Sequence, residues 1–392
     1  MKGVLKYQLV ILFVIVQFFL DLLTKIYDNQ NTSLVLGIKL AKLVFLFLFL
    51  GILWKEKSLV QVKLYVFLIS AFLIGQGLLF YHKTVDLSQV LLATKELVLL
   101  LFPFIFWNFL LKLPKDDKSY KQLQTVFEIF ILIIVISTVV GIFFPTPFLK
   151  TYGGTIRFGT MGLVNKSVTA SYFYITALSY FYQKQPKGTK YKIGFALTLI
   201  SSLFVGTKAI YLFVFLLGIY HIVNRKYYTR KIFYSALLGG IAIGVFYYEY
   251  LLNQFKYVFD VLYNVYIDVG FLSAITSIRD QRFVENTSFY SEHWTFLNYL
   301  FGGRIVGQAL FELSIFDIFV FFGILGGLYY LFTAYKLILN AKKDQKKCFF
   351  KISLATVFFV SIFAGQFFIN ISAITIVLLG FFFILNEKEE NL

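Results

Sequence analysis

Apolar runs of roughly twenty residues recur from one end of this chain to the other, broken mostly by short segments that carry lysine. Roughly twenty is the length an α-helix needs to cross the hydrocarbon of a bilayer. Within lipid the backbone finds no water, so a spanning segment satisfies its own N–H and C=O groups as a helix or closes into a barrel. Barrel strands would be about 10 residues long and alternate in polarity. These runs do neither. The hydrophobic content of 59%, with 50 Phe in 392 residues, is also more than one soluble core would hide. The expected class is an all-α, polytopic integral membrane protein.

The runs read as about 12 transmembrane helices. They lie at roughly 7–24, 34–54, 61–81, 88–111, 123–145, 166–183, 190–206, 208–224, 231–249, 315–337, 350–368 and 370–386. The first run shows no cleavage site and reads as a retained helix. With the N-terminus inside, most of the 37 Lys and Arg fall in cytoplasmic loops, as the positive-inside rule requires. That pattern needs a reversal at Gly206-Thr207-Lys208 and puts both termini in the cytoplasm. The net charge of +17 is thereby a matter of topology, and no nucleic-acid partner is expected.

One hydrophilic interruption is long. It divides the chain into a nine-helix membrane region (1–249), an extracytoplasmic loop (250–314) and a three-helix membrane region (315–392), expected to act as one functional domain. Within the loop Leu251, Phe255, Val258, Phe259, Leu262, Tyr266 and Val269 recur near helical spacing. They predict an amphipathic helix against the membrane or over a cavity. The lone cysteine, Cys348, can form neither an intramolecular disulfide nor a thiolate metal site. No Walker loop, dinucleotide fingerprint or zinc-ligand spacing is present. No metal and no cofactor are expected.

Charges at membrane depth are costly and face protein or a water-filled cavity. On the outer side the sequence places Arg157, Lys166, Lys208, Arg279, Arg282 and Arg304, with Asp280, Glu285, Glu292, His293, Glu312 and Asp317. Such a mixture can hold a diphosphate and deprotonate a sugar hydroxyl. Arg157 could contact phosphate bidentately; a headgroup-facing arginine is the plainer reading. Asn165 could bind sugar or cap the next helix. Lys208 could be a phosphate point charge or snorkel from a helix start. Arg279 and Arg282 share a helical face and could clamp two phosphates; a solvated charge cluster is the alternative.

Glu285, Glu292 and His293 are possible bases, although Glu285 reads most simply as a helical ion-pair partner of Arg282. Tyr290 and Trp294 could stack on sugar rings or anchor the loop. Arg304 is a candidate partner for Asp317. Lys39, Lys42, Lys95 and Glu96 are expected to line a cavity or pair between helices.

In order and sidedness these features resemble the O-antigen polymerase and ligase superfamily, specifically its repeat-unit polymerases. The resemblance rests on the stretch from Arg157 through Gly159 and Gly162 to Asn165, on Gly206-Thr207-Lys208-Ala209, and on the long loop with Arg279, Arg282 and His293 followed by Glu312 to Gly326. Lys208 stands where an arginine is more typical, and His293 precedes Gly302-Gly303, which favours polymerase over ligase.

The resemblance implies a GT-C-like polymerase/ligase architecture in the bacterial cytoplasmic membrane, with its active site facing the periplasm or exterior. It implies metal-independent polymerisation of undecaprenyl-diphosphate-linked oligosaccharide repeat units into surface polysaccharide. Arg157, Lys208, Arg279, Arg282 and Arg304 would bind diphosphate. Glu292, His293, Glu285 or Asp280 would act in catalysis. Asn165, Tyr290, Trp294, Glu312 and Asp317 would bind sugar or support the site. Membrane lipids, a chain-length regulator and a flippase would be its partners. A lipid-linked oligosaccharide flippase shares the many spans and the charged interior, and a ligase-like glycan transferase shares the chemistry.

Overall fold

A long apolar run bordered by capping residues and lysines folds as one uninterrupted helix, and the computed structural model is all-α accordingly. It describes residues 2–27, 32–56, 62–152, 159–229, 260–306, 310–339, 348–363 and 367–386, with 234, 238, 245, 248, 249, 308 and 365 singly. The helices are α1 (Lys2–Tyr27), α2 (Thr32–Lys55), α3 (Val62–Tyr81), α4 (Leu87–Leu111), α5 (Asp117–Phe143), α6 (Ser167–Lys184), α7 (Thr189–Leu203) and α8 (Lys208–Asn224). Then follow α9 (Asp260–Val269), α10 (Phe271–Thr276), α11 (Arg279–His293), α12 (Phe296–Phe301), α13 (Ser314–Leu339), α14 (Cys348–Phe363) and α15 (Ile371–Leu385). Among the described residues there is no sheet, only isolated bridges.

The chain is a multi-pass membrane protein, but the twelve-span, GT-C-like architecture is not what it forms. Among the described residues, 5 helices are long and apolar enough to cross a membrane: Gly3–Tyr27, Val62–Tyr81, Leu87–Leu111, Asp117–Phe143 and Ser314–Lys336. The runs at 190–206, 208–224, 350–368 and 370–386 become helices of 15, 17, 16 and 15 residues. At ~1.5 Å per residue these fall short of the roughly 30 Å hydrocarbon layer. The run at 166–183 becomes α6, which is rich in Ser, Thr and Tyr and is buried from Thr169 to Phe181. The run at 34–54 lies in α2, whose first side chains fall outside the described residues. Most of the run at 231–249, and the residues from Leu251 to Phe259, fall outside them too.

α6 and α15 form the centre. Every residue of α15 is buried, and Gly380 lets the two helices touch, since a Cβ there would lie 2.1 Å from the Thr176 methyl. The helix is interrupted at the expected place after α7, with Gly206 at φ +75°. α4 starts at a capping box: Asp86 accepts from the Gln89 N–H, and Gln89 accepts from the Asp86 N–H. The same Gln89 donates through Nε2 to the Val306 carbonyl at 3.0 Å.

The described residues of 271–313 cover one end of this bundle. α12 packs against α3 and α13. Asn298 donates to the carbonyls of Gly75 and Gly302 at 3.1 and 2.8 Å. α13 bends at Gly323, and the Gly303 N–H donates to the Val320 carbonyl at 2.9 Å. The covering segment is therefore bonded into the helices below it.

Candidate active site

An ionisable side chain in an apolar helix must find a partner or a wet cavity. Four such side chains, and a fifth just before α6, meet here. On α4, Leu92, Lys95, Glu96 and Leu99 recur at helical spacing and face one cavity of about 420 Å³. Asp21 and Thr24 of α1, Lys42 of α2, and Asn165 and Lys166 before α6 complete its polar wall. Val306 and Leu310 from the covering segment, and Asn370 at the start of α15, close it. Lys42, Lys95 and Glu96 thus line a cavity, as expected; the side chain of Lys39 lies outside the described residues.

Each carboxylate here is held by a cation. Asp21 is bonded by the Lys42 ammonium, and it accepts from Gln17 Nε2 at 3.3 Å and Asn165 Nδ2 at 3.5 Å. Glu96 accepts from Arg304 Nε at 3.3 Å. Counting Lys95 and Lys166, cations outnumber carboxylates around the cavity, so it favours an anion. Nearby, Lys25 Nζ donates to the carbonyls of Gly162 and Val164 at 2.5 and 2.7 Å, which fixes the turn that carries Asn165.

Arg304 is 5% exposed and donates through both Nε and Nη1. Beyond Glu96, its Nη1 donates to the Ile305 and Gln308 carbonyls at 2.5 and 2.8 Å and to the Tyr290 hydroxyl at 3.2 Å. Its acidic partner is therefore Glu96 and not Asp317. Asp317 instead accepts the Phe311 N–H at 2.9 Å. Burial raises the Tyr290 phenol above its ordinary pKa although Arg304 opposes this, so Tyr290 accepts from Arg304 as a neutral group.

The other residues singled out from the sequence occupy a separate layer. Arg279 and Arg282 do share a face of α11, and both are paired with Glu312: Arg279 Nε at 3.4 Å, Arg282 through Nη1. Lys208 is bonded to the Ala274 and Ile275 carbonyls and to Ser277 Oγ, so it caps the C-terminal end of α10. Asp280 accepts from Ser273 and Thr276 and ties α10 to α11. Glu285, Glu292 and His293 are exposed and none lines the cavity. The His293 ring stacks on Phe289 at 4.3 Å. Tyr290 is buried, and Trp294 donates to the Gly303 carbonyl at 3.0 Å. Arg157 lies outside the described residues. Among the described residues no three His, Cys, Asp or Glu side chains gather to hold a metal.

Two variants check this layer. Glu312→Gln should cost at most about 1 kcal/mol, because its ion pairs are partly exposed and screened. Thermal unfolding in detergent at low and high salt reads this, and the difference should shrink as salt rises. Burial raises the pKa of Asp280, but the Ser273 and Thr276 hydroxyls outweigh it and hold the carboxyl below its usual range. A depressed folded pKa gives stability that is present above the unfolded value and lost as pH falls through the folded one. Asp280→Asn should therefore destabilise at neutral pH, and the gap to the parent should close below about pH 4.

Asp21 was not selected from the sequence, although a carboxylate in an apolar run is itself a signal. Gln17, Lys25 and Asn370 carried no comparable mark. No family model matches this chain, and no curated protein or solved structure is significantly similar to it.

Proposed function

We propose that this protein is a membrane glycosyltransferase that joins lipid-diphosphate-linked oligosaccharide units, and that its reaction centre is the cavity around Lys42, Lys95 and Lys166. The observation that carries this reading is the cavity itself. It is cation-rich, has carboxylates within it, and lies between the helices that supply those charges and the covering segment that supplies Val306 and Leu310. An anionic headgroup carried by a membrane lipid is the class of ligand such a cavity suits.

In the proposed reaction an acceptor hydroxyl oxygen attacks the anomeric carbon of the donor. The bond from that carbon to the diphosphate oxygen breaks, and the hydroxyl proton passes to a carboxylate. Glu96, the more exposed of the two carboxylates at 28% against 14%, takes that proton. Lys95 and Lys166 stabilise the negative charge that grows on the leaving diphosphate. Arg304 positions Glu96. This assignment moves the diphosphate away from Arg279 and Arg282, whose guanidinium groups are engaged with Glu312.

The test is reconstitution of the full chain in lipid with one lipid-diphosphate oligosaccharide. A ladder of products spaced by one repeat is expected. Lys95→Met should lower its rate about tenfold or more in protein that remains folded and monodisperse, the scale of one lost charge-assisted contact. Translocation of the substrate across a sealed bilayer without a ladder would establish a transporter instead. Transfer only to a different lipid or protein acceptor would establish a ligase.

A further inference from the structure

The charged cavity has an apolar neighbour built on the same helices. Along α4, Lys95, Glu96 and Leu99 line the first, and Pro103, Phe104 and Trp107 line a cleft of about 450 Å³. Leu99 and Pro103 are four residues apart, so the two linings meet on one side of the helix. α15 repeats the arrangement, with Ile371 and Ser372 in the cavity and Ile374, Val377 and Phe381 in the cleft. The turn before α15 divides them: Ile369 and Asn370 face the cavity, Phe367 and Phe368 the cleft. Elsewhere α13 and α14 give the cleft an almost wholly apolar lining, with Lys351 its one charged residue. Each space is of the size that small ligands occupy, roughly 300–1,000 Å³.

We propose that the cleft holds the hydrocarbon chain of the same lipid whose anionic diphosphate enters the charged cavity. This rests on the proposed reading of that cavity. From Lys95 to Trp107 the helix advances ~18 Å, so the chain lies along the α4–α15 seam. In a bilayer, surrounding lipid is as apolar as the cleft, and burial of a tail from lipid supplies little selectivity. What selects this chain is its tether. A diphosphate held at the cavity gives its own tail a high effective concentration at the cleft. The cleft thus orients the donor and discriminates long chains from short ones.

The full chain in phosphatidylcholine vesicles is given undecaprenyl diphosphate carrying a diazirine at the far end of its tail, illuminated, and mapped by peptide mass spectrometry. Labelling is expected on the α13 and α14 residues of the cleft, such as Ala334 and Leu354. It should fall at least fivefold with excess unlabelled undecaprenyl diphosphate, and also in Ala355→Trp, which fills the cleft from an exposed position. Lys351→Gln should leave it unchanged.

The inference is overturned if diazirine phosphatidylcholine labels the same residues equally and undecaprenyl diphosphate does not compete, since bulk lipid then fills the cleft. Loss of labelling in Lys351→Gln overturns it too, because the headgroup would then sit at Lys351. A product ladder without cleft labelling removes the tail site and leaves the glycosyl-transfer reading standing. Competed labelling without a ladder does the reverse.

Discussion

Replacing Arg304 by methionine should destabilise the protein by about 3 kcal/mol, the scale of charge-assisted hydrogen bonds lost around a buried guanidinium whose partner Glu96 stays partly hydrated. Arg304 is 5% exposed and satisfies four acceptors at once: Glu96, the Tyr290 hydroxyl and the carbonyls of Ile305 and Gln308. Methionine fills similar volume and removes every donor, so two backbone carbonyls and a carboxylate lose their partner. A lone ammonium cannot reproduce the planar fork, and Arg304→Lys should recover only part of the loss. Tyr290→Phe, which removes one neutral acceptor, should cost about 1 kcal/mol. Thermal unfolding of the full chain in one detergent reads all three. A loss for Arg304→Met no greater than for Tyr290→Phe would mean that the Glu96 pair contributes nothing. The proposed positioning of Glu96 would then fail as well.

What could be read from the sequence divides along a physical line. α1, α3, α4, α5 and α13 are long and turn one side to lipid, so their apolar runs predict them correctly. α15 carries the same signal for another reason: it is apolar all round because protein surrounds it. Hydropathy does not distinguish those two surroundings. α6 could have been separated by its hydroxyls, which bond to protein: Ser171 to Thr207, Ser179 to Ser353, and Tyr174 to Thr138.

At the site, Lys42, Lys95 and Glu96 were legible because charge in an apolar helix demands a partner or water. The shared face of Arg279 and Arg282 was legible from spacing alone. Their common partner was not. Glu312 reaches them from a left-handed turn at φ +56°, placed by the fold and not by local sequence. The bonds of Lys208 to the Ala274 and Ile275 carbonyls were not legible either, because backbone acceptors leave no mark in a sequence. Nor could spacing link Arg304 to Glu96, which is 208 residues away.

The backbone contact that carries Arg304 to Glu96 predicts the second large effect: Gly302→Ala and Gly323→Ala should each prevent normal folding. Gly302 has φ +85° and ψ −162°, and Gly323 has φ +63° and ψ −171°, a region that is essentially glycine's alone. A side chain there costs about 1–3 kcal/mol before any contact is considered. The contacts are also backbone on both sides. A Cβ at Gly302 would lie 2.5 Å from the Phe321 carbonyl carbon, and one at Gly323 would lie 2.3 Å from that of Leu300. Overpacking adds about 1–3 kcal/mol, and neither partner can rotate away as a side chain would.

Gly77 is the control, because it is helical with nothing within 4 Å of its Cβ position. Gly77→Ala should be neutral or stabilise by up to about 1 kcal/mol. The recovery of monodisperse protein after solubilisation, followed by thermal unfolding, compares the three. If Gly302→Ala behaved like Gly77→Ala, α12 could not be packed backbone to backbone against α13. Gly303, which donates to Val320, and Arg304, which follows it, would then lose the register that brings the guanidinium to Glu96. The loss of that register would remove the covering wall of the cavity together with the guanidinium that positions Glu96.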